Sequence, residues 1–166
     1  MRRYYALPPG QSTNDVLKAI FRRYAPRGRL LDNAGFAKLC RQSPGGLYTE
    51  TLTTTDADII FAHAVPHGER RMDYNHFLEG LAEVALRKYP DASPMTAFAM
   101  LLIYHIFGLL VAEDDGDNDD ARALQRVLAD LNAPPYTHHL VTSLGRTSLD
   151  GRDFQGHGRK LQESLL

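Results

Sequence analysis

The sequence predicts an all-α fold: an EF-hand-like pair of helix–loop–helix units with a long central fifth helix. Apolar residues recur at helical spacing in one segment after another, and capping residues head those segments. The plan of helix, loop, extended residues and capped helix also occurs twice. At most a tiny two-stranded pairing between the loops is expected, with Leu31 and Met72 as partners.

The segment 1–11 contains Pro8-Pro9-Gly10 and reads as a mobile N-terminal arm. Ser12 and Asp15 have capping-box spacing, and Leu17, Ile20, Phe21 and Tyr24 share one face of the helix that follows. Pro26 and Gly28 end it. Asp32 is a good N-cap for a second helix through Phe36, Leu39 and Cys40, broken by Ser43-Pro44-Gly45-Gly46. Thr54 or Thr55 is expected to cap the third helix, which carries Ile59, Ile60 and Phe61 and stops before Pro66.

Asp73 caps the fourth helix, with Phe77, Leu78, Leu81 and Val84 inward and Tyr89-Pro90 closing it. Ser93-Pro94 opens the fifth, placing proline where its missing N–H costs nothing. That helix is apolar nearly all round, through Phe98, Leu101, Leu102, Ile106 and Phe107, so it belongs at the centre. The core unit spans 12–112; an acidic loop and a last helix occupy 113–135, and 136–166 reads as an extended tail.

The chain has 166 residues with 43% hydrophobic content, enough for one core, and 23% charged residues. A net charge of −1 gives no global field towards nucleic acid or an anionic membrane, so neither is expected as a partner. Charge-driven recognition has to come from a local patch. Cys40 is the lone cysteine and cannot form an internal disulfide, which fits a reducing compartment. The start lacks the apolar run of a secretory signal, and the stretch from Ala97 to Ala112 is shorter than the roughly 20 residues that span a bilayer.

Calcium needs spaced oxygen ligands and a final bidentate glutamate. Counting back from Phe36, the final position falls on Gly35 and earlier ones on Tyr24, Pro26 and Gly28. Counting back from Phe77, His76 replaces the glutamate, after Val65, His67 and Glu69. Neither loop gathers the carboxylates, so no metal or other cofactor is expected. The run from Glu113 to Asp120 is acidic but lacks the ligand spacing.

Several segments carry a family resemblance. Phe36-Ala37-Lys38-Leu39-Cys40 resembles the W/F-A-K-L-C of the tubulin polymerization-promoting proteins, and Thr55-Asp56-Ala57-Asp58-Ile59-Ile60-Phe61 resembles their T-D-V-D-I-V-F. Arg71-Met72-Asp73-Tyr74-Asn75-His76-Phe77 sits where they have V-I-N-Y-E-E-F. Phe21-Arg22-Arg23-Tyr24 is similar to their F-R-K-F, and Ser93 to Phe98 to their S-K-E-E-A-F. The order and spacing agree from about Asp15 to Ala112.

The resemblance implies a non-enzymatic protein that binds tubulin or microtubules and promotes their assembly, bundling or stabilisation. It places the protein in the cytoplasm and cytoskeleton, extending to axonemes of cilia or flagella. The family's second cysteine after the A-K-L segment is Ser43 here, so the pair linked to zinc is absent. Its tail motif is matched in part by Asp150, Phe154, Gly156, Arg159 and Lys160.

Candidate protein-binding residues are Arg22, Arg23, Arg27 and Arg29 near the end of the first helix, with Lys38 and Arg41 on the second. Tubulin carries acidic surfaces and tails, which such a patch would attract. The bland alternative is a solvated helix end, where cations are favoured anyway. His63 and His67 have i, i+4 spacing, but Pro66 interrupts them; His105 on an apolar helix reads as a core residue, and Cys40 as a buried inert thiol. No coiled-coil heptad argues for dimerisation, so a weak homodimer is the most self-association expected. The competing readings are an adaptor that grips a protein other than tubulin, and a metal- or GTP-dependent enzyme using the histidines and tail glycines.

Overall fold

Ser12 opens the first helix with a reciprocal cap. In the computed structural model, which describes residues 3–110 and 120–133, its hydroxyl accepts the Asp15 N–H at 3.2 Å. The Asp15 carboxylate takes the Ser12 N–H in return at 3.3 Å. Helix α1 (Thr13–Tyr24) buries Val16, Leu17, Ile20, Phe21 and Tyr24. After a tight turn at Pro26–Gly28, helix α2 (Asn33–Gln42) starts at Asp32, whose side chain accepts the Gly35 N–H at 2.8 Å.

Helix α3 (Thr54–Ala64) is capped by Thr53, not by Thr54 or Thr55. The deciding feature is Asp56, three residues after Thr53, whose carboxylate accepts the Thr53 N–H at 2.7 Å and completes a capping box. Helix α4 (Tyr74–Lys88) starts at Asp73 and α5 (Pro94–Leu101) at Ser93, both as their spacing predicts. Arg87 of α4 reaches the Asp56 carboxylate at 2.7 Å and so clamps α4 to the start of α3.

The two helix–loop–helix units are joined where the sequence places the pairing. Leu31 and Met72 form an isolated antiparallel bridge, each N–H donating to the other's carbonyl at 2.9 Å, with both side chains fully buried. Among the described residues the fold is all helical apart from that bridge. The core joins Phe36, Phe77, Phe98 and Phe107 with the apolar faces of α1 to α5.

The fifth helix is central and buried, but it is not one regular α-helix. Beyond Leu101 it passes into a π-helical turn (Leu102–Ile106) and then a 3-10 turn (Phe107–Leu109). Such departures arise where other groups insert against a helix, and several do so here. Tyr5 donates its N–H to the Ile103 carbonyl at 2.7 Å, the His105 ring meets Pro44, and Pro44 and Tyr5 crowd against Gly108.

The N-terminal segment is therefore docked rather than a free arm. Tyr4, Tyr5 and Leu7 are buried in the core. Proline and glycine in the segment signalled a loop, yet two tyrosines and a leucine supply ample surface to bury. Helix α6 (Asp120–Leu131) packs onto the same assembly through Val127 and Leu131. Its Arg126 donates to the Leu7 carbonyl at 3.1 Å, and its Asp130 carboxylate accepts the Thr13 N–H at 2.6 Å, at the positive end of α1. The acidic run through residue 119 and the tail from 134 onward, with its motif Asp150, Phe154, Gly156, Arg159 and Lys160, lie outside the described residues.

Candidate functional site

The expected cations form a rim along the chain from the end of α1 to the outer face of α2. Arg22 and Arg23 end α1, Arg27 and Arg29 follow in the turn, and Lys38 and Arg41 lie on the outer face of α2, opposite its buried Phe36, Leu39 and Cys40. All are exposed. The Tyr24 hydroxyl donates to the Gln42 side-chain carbonyl at 2.7 Å, which ties the end of α1 to the end of α2. Among the described residues no carboxylate lies within ion-pair distance of Arg22, Arg27, Arg29, Lys38 or Arg41.

Arg23 differs from its neighbours. Its guanidinium donates to the Leu109 carbonyl at 2.7 Å, capping the end of the fifth helix. Arg27 adopts φ 60°, a left-handed conformation costly for a side chain with a Cβ. The bridge also brings in cations that the sequence pattern of α1 and α2 did not include. Arg70 and Arg71, both exposed, precede Met72 and so lie across from the Leu31 strand. The predicted Leu31–Met72 pairing was the signal that could have found them.

Cys40 and His105 are both spent on structure. Cys40 is buried, and burial pushes its thiol up to about 12 despite the opposing hydrogen bond from Tyr48. His105 is only 3% exposed and is engaged at both ring nitrogens. Nδ1 lies 2.8 Å from the Pro44 carbonyl and Nε2 lies 2.8 Å from the Tyr89 hydroxyl. A carbonyl can only accept, so Nδ1 carries a proton, and in the neutral ring Nε2 accepts from Tyr89.

His63 and His67 line a groove of about 670 Å³ between the end of α3 and the loop after it. Among the described residues no group of metal-capable side chains is large enough to hold an ion. The first loop also has no room for a ligand at its last position. A Cβ on Gly35 would stand 2.7 Å from both the Tyr24 carbonyl and Leu31 Cδ1, so a glutamate there would collide with backbone. Among the described residues no helix is long and apolar enough to cross a membrane.

A family model described as p25-alpha matches residues 18–111 of the 166. The chain belongs to the p25-alpha family. The matched stretch runs from α1 to the end of the fifth helix and contains the whole cationic rim; the docked N-terminal segment and α6 lie outside it. Among curated relatives, Tubulin polymerization-promoting protein family member 2 of Homo sapiens is 26% identical over 105 residues, covering 63% of this chain and 58% of the relative. The Bos taurus protein of the same name is 27% identical over 96 residues, covering 58% and 53%. The chain thus spans a little over half the length of these relatives. The p25-alpha match bears out the resemblance read from the ordered segments.

Proposed function

We propose that this p25-alpha protein binds tubulin and promotes microtubule assembly, bundling or stabilisation. It acts in the cytoplasm and on the cytoskeleton, including the axonemes of cilia or flagella. The observation that carries the reading is the p25-alpha stretch at 18–111, shared with relatives named for promoting tubulin polymerization. The rim of Arg22, Arg27, Arg29, Lys38 and Arg41 supplies the local positive charge that a chain of net charge −1 otherwise lacks. The tail motif around Phe154 and Gly156, with Arg159 and Lys160, is a second contact, and two contacts on one chain allow bundling with no more than a weak homodimer.

The action is binding, not catalysis. Burial of Cys40 and the double engagement of His105 support that reading, since neither can serve as a nucleophile or base as placed. Co-sedimentation with taxol-stabilised microtubules, together with turbidity of assembling tubulin, tests it. The expected result is salt-sensitive pelleting and faster assembly. A protein that stays in the supernatant and leaves assembly unchanged overturns the tubulin reading.

A further inference from the structure

We propose that the face meeting an acidic protein partner is centred on the Leu31–Met72 bridge and joins Arg70 and Arg71 to Arg27 and Arg29, with Leu30 as its apolar contact. This rests on the tubulin-binding reading above and names the surface that carries it. The bridge is antiparallel, so Asp32 is set across from Arg71 and Leu30 across from Asp73. Leu31 and Met72 point into the core at 0% exposure, and alternation turns their neighbours outward; Leu30 is 42% exposed.

The register would let Asp32 neutralise Arg71, yet no such ion pair forms. The Asp32 carboxylate is turned into the first turn of α2, on the Gly35 N–H, and Asp73 is turned onto the His76 N–H at 3.0 Å and the His76 ring at 2.7 Å. The capping aspartates therefore leave the arginines to solvent, and among the described residues none of Arg27, Arg29, Arg70 and Arg71 lies within ion-pair distance of a carboxylate. Glu69 is the exposed acidic neighbour in the same loop. Both α2 and α4 begin directly after the bridge, and their positive ends are taken up by the Asp32 and Asp73 carboxylates, so the positive field of the face comes from the arginines alone.

Carboxylates of a protein segment suit this surface better than a phosphate backbone. Arg29, Arg70 and Arg71 lie within two residues of the bridge and Arg27 within four, in a chain of net charge −1, and the exposed Leu30 adjoins Arg29.

The test is the double reversal Arg70→Glu/Arg71→Glu in the full chain, with microtubules, poly-L-glutamate and a single-stranded oligonucleotide as probes. Both residues are exposed and outside the caps, so circular dichroism should match the parent. Binding to microtubules and to polyglutamate is expected to weaken about tenfold at low salt, the gap closing as salt rises. Arg70→Lys/Arg71→Lys should bind as the parent does. If the parent pellets with microtubules and the reversed variant pellets equally, this face is wrong while the tubulin reading stands. If the parent does not pellet, the tubulin reading fails, and polyglutamate decides the face alone: loss in the variant supports it, no loss overturns it. Arginine-dependent binding that is tighter to the oligonucleotide than to polyglutamate overturns the acidic-protein assignment.

Discussion

The Arg23 guanidinium donates to the Leu109 carbonyl at 2.7 Å, so a cation at the end of α1 caps a buried helix that ends 86 residues later. Carbonyls at a helix C-terminus lack intrahelical partners, and a positive group there also meets the negative end of the dipole. Arg23 is thus a structural cation set beside Arg22, which has no such partner among the described residues.

Separating the two arginines gives a first prediction. Arg23→Ala should lower the unfolding free energy by about 1 kcal/mol, less than a buried charged hydrogen bond because the side chain is exposed. Arg22→Ala should stay within about 0.5 kcal/mol of the parent, whereas Arg22→Glu should weaken microtubule pelleting with an unchanged melt. Urea titrations of the alanine variants check this; equal midpoints would remove the cap from the account.

His105 is the polar tie between the Ser43–Gly46 loop, the end of α4 and the π-turn. His105→Phe leaves the Pro44 carbonyl and the Tyr89 hydroxyl without their ring partner, and should cost about 2–3 kcal/mol. Thermal melts followed by circular dichroism read the loss. A phenylalanine variant as stable as the parent would mean that water replaces the ring on both groups.

The parts of this fold legible in the sequence are the local ones. Asp32, Asp73 and Ser93 each cap within a turn of themselves, and the apolar residues before the two aspartates pair because each loop must pass the other there. Thr53 was missed in favour of its neighbours because a run of threonines offers several caps, and only the reach of Asp56 chooses among them. The docking of Tyr5 depends on a distant glycine, so Pro8-Pro9-Gly10 spoke only for a loop. The same limit hid the role of Arg23, whose partner no local pattern names. The rim residues could be enumerated from composition, but Arg70 and Arg71 required the bridge to be carried through to its neighbours.

Gly108 holds the N-terminal segment in place. A Cβ there would collide with the Pro44 ring and stand 2.7 Å from two Tyr5 ring atoms. Gly108→Ala should therefore cost about 1–3 kcal/mol, the usual range for overpacking, and should loosen the Tyr5 hydrogen bond to Ile103. Hydrogen exchange at the Tyr5 amide is the direct readout: faster exchange in the variant is expected, and unchanged exchange would show that the segment repacks without strain.

Cys40 offers a chemical check on burial. With its thiol pushed up to about 12, almost none is thiolate at pH 8, and thiolate is the form that reacts. Labelling by a disulfide reagent should be at least about a hundredfold slower in the native protein than in urea. Rapid labelling of the folded protein would place the side chain at the surface.

The capping aspartates set the acid limit of stability. Hydrogen bonds from the Ser12 hydroxyl and amide hold Asp15 below the ordinary carboxylate range, and the Thr53 amide and hydroxyl, with Arg87, do the same for Asp56. At Asp73 burial works in the opposite direction, but the bonds from His76 outweigh it. A carboxylate with a depressed folded pKa binds its proton less readily in the native state than in the unfolded chain. Its contribution is therefore complete above the unfolded value near 4 and is lost as pH falls through that value towards the folded one. Urea midpoints should be flat from pH 7 down to about 5 and drop below about 4. Asp56→Asn cannot ionise and loses the Arg87 partner, so it should start lower at pH 7 and fall less on acidification. Parallel curves for the parent and Asp56→Asn would show that the α3 cap does not titrate with folding.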